Sequence, residues 1–235
     1  MQPQPKSFSY YPWCHGARHE LDRAFPSYLT VFDHEELDVE IEHDTHYIYI
    51  HGGEGLIETP IGSFRLKPGM FCVQNGPYRI TGAQGISVSR ESYDGYFQIG
   101  GPVEYKGRLK YIDGCTDSLL SSPARWGDPC LNLLYFPSGI DQTMHTHPSD
   151  RIGMILSGRG ECVTPDEIIP LLPGMIFCIH TDGPHKFRTM SGSDMRVLAY
   201  HPDSDFGPRD EEHPMLNRTI VDGVSARFIE KIRTK

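Results

Sequence analysis

The stretch HTHPSDRIGMILSGRG, residues 145–160, decides how this chain is read. Its two histidines, His145 and His147, stand two residues apart. A strand-like apolar run, Ile152 to Leu156, follows and closes on the turn Gly158-Arg159-Gly160. Residues two apart in an extended segment point to one face, so both imidazole rings would reach the same spot. Arg151 stands where a metal site would be expected to carry a carboxylate. A guanidinium keeps its proton and offers no lone pair, so Arg151 is no ligand for a cation.

Outward from this stretch the chain repeats itself. HYIYIHGGEGLIETPIGSFRLKPGMFCV (46–73) resembles RIGMILSGRGECVTPDEIIPLLPGMIFC (151–178). Gly53 and Gly55 correspond to Gly158 and Gly160, and Gly69 to Gly174, with a displacement of 105 residues each time. An unchanged displacement across separate landmarks signals two copies of one unit. Each copy consists of short runs rich in strand-forming residues, separated by Gly, Pro or Asp, without an amphipathic helical stretch. The expected fold is all-β: two stacked antiparallel sandwiches or barrels. The expected divisions are an N-terminal arm 1–22, a first unit 23–105, a linker 106–127, a second unit 128–200 and a C-terminal arm 201–235. Phe206, Met215 and Leu216 suggest that the C-terminal arm packs over one unit.

Composition agrees with a packed β protein. The 235 residues are 38% hydrophobic and 23% charged, with 24 glycines and 19 prolines, as many tight turns require. The formal charge of −9, without a long basic run, argues against nucleic acid as a partner. No apolar stretch approaches the roughly 20 residues of a membrane helix, and no signal peptide is visible. Six scattered cysteines without a Cys-x-x-Cys pair point to reduced thiols in a cytoplasmic protein, Cys162 and Cys178 being inert, buried strand residues.

Gly139, five residues, His145-Thr-His147, three residues, Arg151, six residues and Gly158 reproduce the spacing of the first cupin motif. Gly174, five residues, His180-Thr-Asp182, two residues, His185, three residues and Thr189 reproduce that of the second. Identity departs at Arg151 for Glu, His180 for Pro, Asp182 for Gly and Thr189 for Asn. The chain therefore resembles the cupin superfamily over residues 128–200 and, through the repeat, over 23–105: a bicupin of two jelly-roll units. The resemblance implies one divalent transition metal held by His145, His147 and His185, with Fe(II) favoured and Zn, Mn or Ni as alternatives.

Two readings of the fourth position stand. Asp150 bends in as a ligand, although on a strand it should point away, or the site uses three histidines alone. The second arrangement is similar to that of some cupin thiol and diketone dioxygenases. In it Arg151 holds a substrate carboxylate by paired hydrogen bonds. A salt bridge at the barrel rim is the structural alternative for Arg151. His180 is read either as an acid, base or proton shuttle, or as an exposed loop residue.

In the first unit the displacement puts Glu40, Glu42 and His46 at the places of His145, His147 and Arg151, and Tyr78 at that of His185. That unit is expected to be metal-free. A hard cation held by the carboxylates, His46 and Tyr78 is an alternative, as is a solvated face bearing Glu40 and Glu42. The functional expectation is a non-haem Fe(II) dioxygenase acting on a small anionic molecule, possible as a homodimer. The alternatives are a Zn, Mn or Ni isomerase or hydrolase and a non-catalytic small-molecule-binding protein.

Overall fold

A computed structural model of the protein describes residues 6–204 and 218–233. The expected packing residues Phe206, Met215 and Leu216 lie outside the described residues. The described chain is built of antiparallel strands, with short 3-10 turns at Ala226–Phe228 and Glu230–Ile232. No helix among the described residues is long and apolar enough to cross a membrane.

Two units of like design follow one another. In the first, a six-stranded sheet runs Gln98–Gly100, Phe71–Asn75, Thr45–Gly52, Gln84–Arg90, Ser27–Asp33, Arg18–Leu21. It is closed by a four-stranded sheet running Leu37–Val39, Tyr78–Thr81, Gly55–Thr59, Gly62–Leu66. In the second, a seven-stranded sheet runs Phe8–Tyr11, Ile176–Ile179, Arg151–Gly158, Met195–His201, Cys130–Phe136, Thr116–Ser121, Leu109–Lys110. A three-stranded sheet of Ile168–Leu171, Gly160–Val163 and Lys186–Thr189 faces it.

The repeat in the sequence is a repeat of hydrogen bonds. His46, Tyr47, Ile48 and Tyr49 pair with Gln74, Val73, Cys72 and Phe71. Arg151, Ile152, Gly153 and Met154 pair with Ile179, Cys178, Phe177 and Ile176, every partner displaced by the same 105 residues. The Pro-Gly turns match too. Gly69 N donates to Ile50 O at 2.9 Å, and Gly174 N to Ile155 O at 2.8 Å. Both glycines lie in the left-handed region, at φ +85° and +84°, where a side chain costs about 1–2 kcal/mol. Gly69→Ala and Gly174→Ala should therefore each lower stability by about 1 kcal/mol in denaturant melts. Two variants as stable as the parent would show the turns to be unstrained.

Strand alternation sorts the apolar residues into three cores. Phe32, Ile48, Ile50 and Ile57 fill the first unit, and Phe136, Phe177, Phe187 and Val197 the second. The third lies between the units, where the outer faces of the two large sheets meet. Leu29, Val31, Tyr47 and Val88 pack there against Leu131, Ile152, Ile176 and Leu198, with the Tyr47 and Tyr200 rings 5.0 Å apart. A side chain on Arg151–Gly158 or Ile176–Ile179 thus faces either the interior of its own unit or this seam.

Two stretches outside the repeat join the sheets. Residues 106–127, expected as a linker, contain the strands Leu109–Lys110 and Thr116–Ser121, which extend the seven-stranded sheet. The N-terminal arm contributes to both units: Phe8–Tyr11 pairs with Ile176–Ile179, and Arg18–Leu21 pairs with Ser27–Asp33.

Candidate metal centre

His145 and His185 approach through the backbone. Each N–H donates to the other's carbonyl at 3.0 Å, forming an isolated bridge. His147 follows in irregular chain, its carbonyl accepting from Asp182 N at 2.8 Å. The expected regular strand is therefore a single bridge, because Pro148 and the turn after it leave little length for a ladder. The two-residue spacing still brings the rings together. Their centroids are 4.6 Å apart for His145–His185, 5.0 Å for His145–His147 and 5.1 Å for His147–His185. One ring nitrogen from each lies within 4.8 Å of the others.

The donor set fits a transition metal. His145 Nδ1 lies 2.8 Å from Thr143 O, and His185 Nδ1 lies 2.9 Å from Gly183 O. A carbonyl only accepts, so these Nδ1 atoms carry the protons and each Nε2 keeps its lone pair. Two of the rings, His147 and His185, are held neutral. Burial lowers His185 to about 4, with His145 and Arg151 adding to the effect against a backbone hydrogen bond at Gly183. Burial and then the Arg151 charge lower His147 to about 3. Neutral imidazoles are the form that ligates.

The cluster lines a cavity with about 530 Å3 of empty space, part of it open to solvent. Phe136, Phe177, Ile179, Phe187 and Val197 supply apolar walls. Arg151 is in the same lining. Its Nη1 donates to the Ser149 carbonyl at 3.1 Å, to the Ser149 hydroxyl and to the Asp150 carbonyl at 3.2 Å. Asp203 is 3.8 Å from Nη1, a long ion pair, and Nε is buried without a partner. The guanidinium thus keeps donor capacity beside the histidines.

Three further titratable lining residues escaped the sequence reading: Tyr111, Asp117 and His201. Burial raises Asp117 to about 6 against hydrogen bonds from Asn132 and the Ser118 backbone. Its Oδ1 is buried without a partner, while Asn132 Nδ2 donates to Oδ2 at 2.6 Å. Desolvation, then the charge of Arg151, puts His201 well below the ordinary histidine value. Tyr111 and Asp117 come from the stretch read as a linker. The alternation of TDSLLS, residues 116–121, was the available signal.

Asp150 and His180 are not at this site. Asp150 precedes Arg151, so its side chain points to the opposite face, where it accepts from Thr181 N at 2.8 Å and Asp22 N at 3.1 Å. His180 lines a second cavity with Ser9, Tyr11, Asp22 and Asp150. The expected proton shuttle therefore faces away from the three histidines, because the turn at Asp182–Gly183 separates His180 from His185.

In the first unit Glu40 and Glu42 are exposed, whereas His46 and Tyr78 are buried with their rings 5.0 Å apart. Tyr78 pairs with Val39, one residue before the position the displacement assigns to His145. No ligand cluster involves these residues among the described ones.

Residues 133–201 match the family model for the cupin domain, Cupin_2. The match spans the whole histidine cluster and leaves the first unit outside it. No curated protein sequence matches the chain. Solved structures share the fold across both units. A Pseudomonas aeruginosa protein described as glyoxylate induced is 12% identical, with TM-score 0.62 over 86% of each chain. A cupin 2 conserved barrel domain protein from Leptotrichia buccalis is 15% identical, with TM-score 0.58 over 81% of this chain and 91% of that one. The salicylate 1,2-dioxygenase of Pseudoaminobacter salicylatoxidans, solved with gentisate, is 11% identical, with TM-score 0.60 over 86% of this chain and 84% of that one. At such identities the likeness is one of cupin architecture.

Proposed function

We propose that the chain is a metal-dependent cupin enzyme, a three-histidine Fe(II) dioxygenase acting on a small anionic metabolite. In this reading His145, His147 and His185 hold the metal, Arg151 anchors the substrate, and the cupin over residues 23–105 is metal-free. One observation carries it: three clustered imidazoles, two of them with Nδ1 held on backbone carbonyls so that Nε2 is free of its proton, share an apolar cavity with a guanidinium that retains an unpartnered N–H. A ferrous ion bound by the histidines would supply the chemistry of dioxygen. The chain's own residues do the rest. Arg151 orients an anion by directed hydrogen bonds, and Phe136, Phe177 and Phe187 exclude water and favour a flat apolar body. A small aromatic carboxylate, of the kind bound by the salicylate dioxygenase solved with gentisate, suits both features.

The test is oxygen uptake by metal-free protein reconstituted with Fe(II), using a panel of small carboxylic acids that includes salicylate and gentisate. Uptake that needs both iron and one acid supports the dioxygenase. Turnover under nitrogen with Zn, Mn or Ni overturns it in favour of an isomerase or hydrolase, and tight binding without turnover favours a binding protein.

The isomerase or hydrolase reading has one specific observation behind it. Asp117 faces the cavity, carries an unpartnered Oδ1 and is raised to about 6, which suits acid–base work near neutrality. It would take the part that the sequence assigned to His180. The same shift makes a stability prediction. The folded protein binds this proton more tightly than the unfolded chain, whose carboxyl titrates near 3.8. Stability should therefore fall as pH rises from about 4 to about 6, and level off above. Asp117→Asn should remove up to about 3 kcal/mol of that fall. Identical pH slopes in denaturant melts of variant and parent would refute the raised carboxyl.

A further inference from the structure

On the seam side of the second unit lies another set of ligand atoms. Asp150 Oδ2, Cys178 Sγ and His180 form a compact triangle. Its edges are 3.5 Å from Sγ to Oδ2, 3.7 Å from Sγ to His180 Nδ1 and 3.8 Å from Nδ1 to Oδ2. A tetrahedral zinc ion with ordinary Zn–S, Zn–N and Zn–O bonds needs ligand separations of about 3.3–3.6 Å. The triangle already has that size within a few tenths of an ångström.

The surroundings aim the lone pairs inward. His180 Nε2 lies 2.7 Å from Ser9 Oγ. With Nε2–H donating to that hydroxyl, Nδ1 presents its lone pair to the thiol and the carboxylate, the arrangement that orients a histidine ligand. Asp150 is pinned by Thr181 N and Thr181 Oγ1 on Oδ1, at 2.8 and 2.9 Å, and by Asp22 N on Oδ2. Burial alone would raise this carboxyl, but its hydrogen bonds, those from Thr181 and the Asp22 backbone among them, outweigh it and hold the group below the usual carboxylate range. Cys178 is fully buried beneath the other two, while Asp150 and His180 line a cavity open to solvent. That cavity shares no lining residue with the one at the three histidines.

We propose that Asp150, Cys178 and His180 form a second metal site, specific for zinc or a similar borderline divalent cation, with its fourth position open to the cavity beside Ser9 and Tyr11. A mixed sulfur, nitrogen and oxygen set favours zinc over the hard cations. Capture replaces the thiol S–H with a metal–sulfur bond and releases one proton to solvent. The site stands independently of the three-histidine cluster, which contains no sulfur.

The experiment uses the full chain, reduced and metal-free, titrated with Co(II) and then with Zn(II). A thiolate-bound cobalt ion gives a sulfur-to-metal charge-transfer band in the near ultraviolet, and an all-histidine site does not. The band should appear in the parent and in His147→Ala, vanish on adding zinc, and be lost in Cys178→Ser. His180→Gln, at a half-buried position, should also lose it and serves as the deciding variant if Cys178→Ser does not fold. Ser9→Ala should weaken cobalt binding about 10-fold. Absence of the band from the parent overturns the site. So does a band that survives Cys178→Ser, which would place the metal on another cysteine, or one that survives His180→Gln.

Discussion

Arg151→Glu should retain metal at the three histidines and lose turnover. The guanidinium sits in the cavity lining with the histidines, and its Nε has no partner. A substrate carboxylate paired with this guanidinium would make a dry, oriented contact, and removing one partner of such a pair costs about 2–5 kcal/mol. On the substrate found by oxygen uptake, kcat/KM should fall by at least about 100-fold. Glutamate would also set a carboxylate against the incoming anion and offer the metal a further oxygen ligand, so metal content should hold or rise. Asp203, 3.8 Å from Nη1, would then face a like charge, so folding must be checked by circular dichroism. Arg151→Lys keeps the charge without the planar fork and should raise KM with little change in metal content. Undiminished turnover in Arg151→Glu would remove the anchor, and with it the anionic substrate.

His147→Ala should strip the metal from the cluster. Asp117 and His201 line the same cavity but stand outside the compact group of three ring nitrogens, and Asp150 points to the seam, so no fourth donor is grouped with them. Loss of an outer partner of a ligand alone weakens metal binding 10–100-fold, so loss of a ligand should exceed about 100-fold. Glu42→Ala is the matched control in the first unit, where the exposed side chain gathers no ligand partners. Metal content by elemental analysis, on protein purified without a histidine tag, should be unchanged in Glu42→Ala. Because zinc at Cys178 would be counted too, His147→Ala is best read by Fe(II) retention. Iron retained in His147→Ala, or lost in Glu42→Ala, would place the centre elsewhere.

What could be read from the sequence was whatever depends on local spacing. The displacement of 105 residues was legible because register is conserved as a count along the chain: His46 pairs with Gln74 as Arg151 pairs with Ile179. The shared face of His145 and His147 was legible from their two-residue spacing, and the arrival of His185 from the resemblance to the cupin motifs. The direction of Asp150 followed from alternation alone. The contribution of Tyr111, Asp117 and His201 was not legible, since the first two lie outside the repeat and reach the cavity through strands added to its edge. His180 kept the motif spacing yet faces the other way, because two residues of turn suffice to switch cavities. The seam core escaped for a different reason. Burial on both faces of a strand reads as a plain apolar run and does not say which sheet will cover it.

The strand Phe8–Tyr11 has a consequence for how the molecule comes into being on the ribosome. Ser9 and His180 touch across 171 residues of sequence. At about 5–20 residues per second, the earlier of the two strands waits roughly 10–30 s for its partner to emerge. Until then it is a free ribbon, and Ile176–Ile179 remains a bare sheet edge open to another nascent chain until that ribbon docks on it. Closure at such long range is slow. Yield from expression should therefore respond to what is fused ahead of Phe8 and to the rate of translation, well before any property of the finished protein changes.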